Sequence, residues 1–302
     1  MSAGTLALAL LLDARLGEPK WLWDRLPHPA IVMGRAVAAA EMRLNHGQQR
    51  RAKGVFAVTV LVAGAGALGL GIAAVPDFGL LELILVAMLL AQRSLADHVR
   101  AVGDALRLSL GDGRMMVARI VGRDVAALDG PGVARAAIES AAENLSDGVV
   151  APAFWFLIGG LPGLMIYKVV NTADSMIGHR TPRHEAFGWA AARLDDLLNL
   201  VPARLTALLI ALGLGCWKAA PVLRDAPLHR SPNAGWPEAA MAVGLDTALS
   251  GPRSYDGQMR DFPWVWGEGR RDAGPDQIDA AVSALWRAWA VMLAIVVAIA
   301  LV

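Results

Sequence analysis

Glu139, Glu143 and Asp147 recur every four residues, so on one helix their carboxylates stack on a single face. Like charges so arranged repel, and a divalent cation or a cationic substrate relieves the repulsion. Asn144 adds an amide beside them, and oxygen donors of this kind suit Mg2+ shared with substrate phosphates. The same residues also fit a solvated face, with Arg135 pairing with Glu139 and Asp147 capping the next helix. A second polar group, Asn171, Thr172, Asp174 and Ser175, follows Tyr167 and Lys168. A third contains Arg193, Asp195, Asp196 and Asn199. There the three-residue step from Asp196 to Asn199 puts both on one helical face, and a local Arg193–Asp196 salt bridge is the simpler reading. Arg119 and Arg123, four apart, suit a bidentate clamp on phosphate or carboxylate, or a basic face near lipid headgroups.

Two histidines sit in rigid polar turns. His28 lies between Pro27 and Pro29, which restrict the backbone to an extended turn. His229 precedes Arg230, Ser231 and Asn233, ahead of a helix expected near Pro237. Each suits a substrate contact or base, and equally a structural turn. No Walker-type phosphate loop and no Gly-x-Ser-x-Gly elbow occurs. The glycines of residues 63–71 have a dinucleotide-like spacing, but they lie in an apolar run where they serve packing.

The elements that must hold these groups are mostly apolar. The chain has 302 residues, 56% hydrophobic and 18% charged, against about 25% charged in ordinary soluble domains. Mean hydropathy is +0.46. Long uncharged runs alternate with charged segments, the pattern of an all-α, polytopic integral membrane protein. Residues 55–75 form the clearest spanning helix, 21 residues without a charge. A turn at 76–79 and a returning helix at 80–91 complete a hairpin. Residues 1–12 read as a first, short membrane helix, since no basic n-region or cleavage site accompanies them. The last helix is expected at 288–302. The uncharged run 205–217 crosses only if it begins nearer residue 197.

Between residues 149 and 167 there is no charge, yet Gly159-Gly160 and Pro162-Gly163 interrupt the run. The expectation is a re-entrant or broken pair of half-helices, against a single kinked crossing. Residues 92–150 read as an amphipathic helical insert whose last helix begins near Pro131, and residues 218–285 as a polar loop region. The whole chain, 1–302, is taken as one membrane-embedded catalytic domain. Eight Lys/Arg in residues 13–54 and seven arginines in 92–151, with none in 76–79, place the two basic segments in the cytoplasm. Net charge is +1, so bulk charge implies no nucleic-acid partner. One cysteine, Cys216, excludes an intramolecular disulfide, and the six histidines show no metal-ligand spacing.

Taken in order, these motifs resemble the CobD/CbiB family, the adenosylcobinamide-phosphate synthases of cobalamin biosynthesis. The resemblance rests on Asp13 with Gly17-Glu18-Pro19, PHPAIVMG at 27–34, VGRD at 121–124, and ESAAENLSDGVVAP at 139–152. It continues through YKVVNTADSMIG at 167–178, FGWAAARLDDLLNLVPARL at 187–205 and HRSPNAGWPEAAMA at 229–242, so it covers nearly the whole chain. Glu18 stands where the family often has Asp, which keeps the carboxylate.

The resemblance implies an inner-membrane amide ligase. It would join a propionate of adenosylcobyric acid to aminopropanol phosphate or threonine phosphate and consume ATP, with no cobalt ligand from the protein. The chemistry requires an acyl phosphate, Mg2+ and cations to offset developing charge, and a base for the amine. Within that frame Glu139, Glu143, Asp147, Asp174 and His28 are the candidate catalytic residues. Glu143, Asp147, Asp174 and Asp196 are the candidate Mg2+ ligands. Arg119, Arg123, Lys168, Asn171, Arg193, Asn144 and His229 are the candidate substrate and ATP contacts. Expected partners are the corrinoid, the amino-alcohol phosphate and the bilayer, with further copies of the chain or other corrinoid enzymes alongside. The expected location is the inner membrane, multi-pass, with the site facing the cytoplasm. Two rival readings are a Mg2+-dependent membrane prenyltransferase, whose acidic motifs NTADSM and RLDD superficially resemble, and a transporter with discontinuous helices.

Overall fold

The computed structural model describes residues 2–122, 124–255 and 258–302. It is overwhelmingly helical. The chain divides into two compact units, one formed by residues 1–91, 151–200 and 296–302, the other by 92–150 and 201–295.

In the first unit the helices are α1 (Ser2–Leu16), α2 (Lys20–Trp23), α3 (Pro29–Leu44), α4 (Arg50–Ala73) and α5 (Leu80–Leu89). With them pack α9 (Ala151–Ile177) and α10 (Trp189–Leu198). α3, α4 and α10 gather on α9 around Val37, Ala57, Val58, Ala173, Ile177, Phe187 and Ala191. Much of the segment from 13 to 54, expected as a basic loop, is helix α3. Its buried Met33 and Val37 are four apart and give it one inward face. α4 has 24 residues and reaches about 36 Å, enough for a hydrocarbon core of about 30 Å.

α9 is two half-helices. Gly160 sits at φ 59°, ψ −156°, a conformation open only to glycine, and Pro162 follows inside the helix. A Cβ placed on Gly163 would lie 2.5 Å from the carbonyl oxygen of Trp155. In one straight helix those residues stand about 12 Å apart. The side chains of Trp155 and Tyr167 also bond neighbouring residues, the Leu198 carbonyl at 3.1 Å and Asn199 at 3.0 Å. The chain therefore doubles back at Gly160. The uncharged part of the helix before it, residues 148–159, reaches only ~18 Å and is too short to cross. The broken pair expected from the glycines and proline is what the chain adopts. α4 lies against the returning limb, where Gly69 leaves room for the Pro162 backbone.

In the second unit α6 (Gln92–Leu108), α7 (Leu110–Val117) and α8 (Gly130–Leu145) pack on one another, and a π-helical turn, Ser146–Val150, ends the segment. α6 buries Ala96, Val99, Val102 and Ala105 and turns Arg93, Asp97, Arg100 and Asp104 outward. The region read from sequence as polar loop holds α12 (Ala219–Asp225), a 3-10 turn at Ala226–Leu228 and α13 (Gly235–Gly244). It also holds two antiparallel strand pairs, β1 (Leu249–Ser250) with β4 (Trp264–Val265) and β2 (Arg253–Tyr255) with β3 (Gln258–Arg260). Asp225 organises it by accepting from Arg224 at 2.6 and 3.0 Å and from the Trp266 amide at 2.8 Å. These bonds hold its carboxyl below the usual range despite its burial.

α11 (Leu200–Leu214) spans about 22 Å by itself, short of the ~30 Å core. α14 (Pro275–Leu301) begins well before the expected 288. Its early turns bury Ile278, Ala281, Val282 and Leu285, while Asp276 and Asp279 bind Arg107 of α6 at 3.3 and 2.5 Å. A search for uncharged runs alone misses such an amphipathic opening. Among the described residues three helical runs, 50–73, 130–177 and 275–301, are long and apolar enough to span by length and composition, and the reversal at Gly160 makes the second a broken pair. The chain is a helical membrane protein with broken helices.

Candidate functional site

A buried polar network of the first unit lies where the returning limb of α9 meets α10. Tyr167 and Asn171 are one turn apart on α9, as are Asp195 and Asn199 across α10 and its C-cap. Tyr167 Oη donates to Asn199 Oδ1 at 3.0 Å. Asn199 Nδ2 donates to Asp195 Oδ2 at 3.0 Å, and Asn171 Nδ2 to Asp195 Oδ1 at 3.3 Å. Tyr167, Asn199 and Asp195 are 1%, 2% and 9% exposed. Burial at this level requires polar partners, and here both carboxylate oxygens of Asp195 receive an amide N–H.

Asp174 lies close enough to Asp195 for their charges to repel. Its carboxylate folds over Gly178, where a Cβ would collide with Oδ1. Asp196, on the outer side of α10, meets Arg193 at 3.3 Å. Thr172 and Ser175 turn their hydroxyls back onto the carbonyls of Lys168 and Asn171. Of the sequence candidates, Lys168, Asn171 and Asp174 thus share the returning limb of α9, and Arg193 and Asp196 share α10. The sequence reading paired Asn199 with Asp196. The structure pairs it with Asp195, because that side of α10 is the buried one. Tyr167, Asp195 and Asn199 were absent from the expected site, and their i, i+4 spacings were the available signal.

His28 is the N-cap of α3. Nδ1 accepts from the Ala30 amide at 3.1 Å and Nε2 meets the Met88 carbonyl at 3.0 Å, which fixes the neutral Nε2–H tautomer. Burial lowers its proton affinity, and Glu18 and the Met88 carbonyl partly oppose that. With both nitrogens engaged, this geometry makes His28 a cap and leaves no lone pair for a base.

In the second unit the expected carboxylate column is not one array. Glu139 is buried and Oε1 accepts from the Ser250 amide at 2.7 Å, tying β1 to α8. Glu143 and Asn144 are exposed, and Asn144 bonds back to Ser140. Asp147 lies inside the π-helical turn, where the extra residue per turn ends the four-residue register. Arg119 stands exposed beyond the end of α7. Arg123 itself lies outside the described residues. His229 accepts from the Ser231 amide at 3.0 Å through Nδ1, and Nε2 stands 3.6 Å from buried Glu238. Arg204 donates to Asn233 at 3.2 Å and lies over Trp236. Among the described residues no group of three or more His, Cys, Asp or Glu is gathered closely enough to hold a metal.

A family model described as CobD/Cbib protein matches residues 6–285. "Cobalamin biosynthesis protein CobD" of Rhizobium meliloti (strain 1021) is 52% identical over 305 residues, covering 95% of this chain and 93% of that protein. The protein of the same name from Sinorhizobium sp is 50% identical over 315 residues, covering 98% of each. That of Rhodobacter capsulatus is 47% identical over 273 residues, covering 88% of this chain and 87% of the relative. No solved structure shows a significant match.

Proposed function

The chain belongs to the CobD/CbiB family of cobalamin-biosynthesis proteins, and from that premise we propose that it is an ATP-dependent amide ligase of the inner membrane. It joins adenosylcobyric acid to aminopropanol phosphate or threonine phosphate and forms adenosylcobinamide phosphate, or its carboxylated counterpart with the second amine. The observation that carries the reading beyond the family is the buried Tyr167–Asn199–Asp195–Asn171 network with Asp174 beside it.

In the proposed reaction a propionate oxygen of the corrinoid attacks the γ-phosphorus of ATP, ADP leaves, and an acyl phosphate forms. The amine nitrogen then attacks the acyl carbon, the C–O bond to phosphate breaks, and the amine proton passes to a base. Lys168 and Arg193 are assigned to phosphate oxygens. Asp174 and the buried Asp195 behind it are assigned together to a cation, either the substrate's ammonium group or Mg2+. Mg2+ is usually held by one or two carboxylates plus substrate phosphates, so a two-carboxylate donor set fits it. When bound there, the ion offsets charge on the transferring phosphoryl group. Asn171 and Asn199 hold the Asp195 carboxylate in orientation. His28, Glu139 and His229 are assigned to holding local structure.

The test is an amine-donor panel. Purified full-length protein receives ATP, Mg2+, adenosylcobyric acid and each amine, with products read by mass spectrometry. The proposal expects one amine to give an amide product only when ATP is present. No ATP-dependent product with either amine overturns it.

A further inference from the structure

The first unit carries a cationic surface that the ligase reading does not use. The α3–α4 connection and the segment between α9 and α10 meet there. Asn45 and Arg50 both bond the carbonyl of Arg183, Arg50 also bonds the carbonyl of Pro182, and Arg183 and His184 both reach Glu41. Lys53 donates to the His46 carbonyl at 2.8 Å. Residues 41–54 and 178–188 together hold six cations, Arg43, Arg50, Arg51, Lys53, Arg180 and Arg183, against two carboxylates, Glu41 and Glu185. Asp196 adds a charge near Arg180, but it is already paired with Arg193. Arg43, Arg51, Arg180 and Arg183 are exposed, and Arg51 stacks on the exposed Trp189 ring at 3.8 Å.

The apolar surface beside these charges identifies the occupant. Val55 is 42% exposed on α4, one turn and about 6 Å along the axis from Arg51 and on the same face, and Phe56, 60% exposed, continues the apolar surface round the helix. Met42, at 71%, flanks Arg43. Cations that give way within two helical turns to exposed apolar side chains on a spanning helix match a ligand with an anionic head and an apolar tail. A free phosphate uses only the first half of that surface. Exposed Trp189 adds an aromatic of the kind enriched at the lipid–water boundary.

We propose that this surface binds an anionic phospholipid, with its phosphate among Arg43, Arg51 and Arg180 and an acyl chain along Val55. The full chain in neutral detergent is titrated with phosphatidylglycerol or phosphatidylcholine, and bound lipid is counted by native mass spectrometry. Preferential binding of phosphatidylglycerol is expected. It should fall about fivefold for each cation removed in Arg51→Gln and Arg180→Gln, while phosphatidylcholine binding stays unchanged. Arg43→Gln is the third variant, since that side chain makes no hydrogen bond or ion pair among the described residues and its loss leaves the fold intact. Inorganic phosphate and glycerol phosphate should not displace the lipid. Equal phosphatidylglycerol binding by all three variants overturns the proposal. So does displacement by inorganic phosphate, which assigns the surface to a soluble anion instead.

Discussion

Replacing Asn199 by Ala removes the amide that joins Tyr167 to Asp195. Asp195 loses a charge-assisted bond of 3.0 Å, and Tyr167 loses an acceptor at 3.0 Å. A hydrogen bond to a charged group contributes about 1.5–3 kcal/mol and a neutral one about 1. Both partners are buried, so Asn199→Ala should destabilise the chain by roughly 2.5–4 kcal/mol. Within lipid the two bonds together contribute only about 1.2 kcal/mol, because side-chain hydrogen bonds within membranes average nearer 0.6 kcal/mol each. Tyr167→Phe removes only the donor and should cost about 1 kcal/mol. The double variant should then be less destabilised than the sum, with a coupling of about 0.5–1.5 kcal/mol. The assay is equilibrium unfolding of the full chain in mixed micelles, followed by tryptophan fluorescence. Asn199→Ala within about 0.5 kcal/mol of the parent, or strictly additive effects, would refute the network as a source of stability.

Two further outcomes follow from single positions. Gly178→Ala places a methyl in collision with Asp174 Oδ1 and 2.7 Å from the Asp174 carbonyl oxygen, so it should displace the carboxylate and shift the end of α9. Ligation should fall by about tenfold or more, since small misplacements of a reacting group are expensive. Unchanged ligation removes Asp174 from the site. For His28 the folded-state proton affinity is lowered, so the unfolded chain binds the extra proton more readily. Its contribution to stability is present above the unfolded pKa of about 6.5 and declines as pH falls toward the lower folded value. His28→Asn keeps a cap acceptor without that titration. Its unfolding midpoint should therefore be flatter across pH 7 to about 5, and a parallel pH profile in both proteins contradicts the tautomer assignment.

Much of this architecture could be read from residue order, and the failures have physical causes. The charge-free run at 55–75 dictates a spanning helix because nothing but a helix satisfies its backbone in lipid. Gly159-Gly160 and Pro162-Gly163 foretold the reversal in α9, since only glycine accepts the backbone angles found at 160. α14 was underestimated because its first turns combine charges with a buried face, the mark of a water-facing helix that continues into an apolar one. Residues 218–285 escaped notice because Asp225, Trp266 and Asp246 are distant in sequence, and short elements held by side-chain bonds leave little periodic signal. The carboxylate column at 139–147 looked like the stronger site. Its spacing assumed an unbroken α-helix, and the π-turn at Ser146–Val150 ends that register. Asp195 was passed over for Asp196 because adjacent acids on a helix differ only in which one faces inward, and packing on α9 decides that.

The proposed chemistry stands or falls on whether a corrinoid carboxylate is activated by phosphoryl transfer. Adenosylcobyric acid labelled with oxygen-18 in its propionate carboxylate, incubated with the full chain, ATP, Mg2+ and the preferred amine, reports this through the phosphate released. An acyl phosphate leaves one labelled oxygen in inorganic phosphate for each amide formed. Amide product accompanied by unlabelled phosphate would contradict the account.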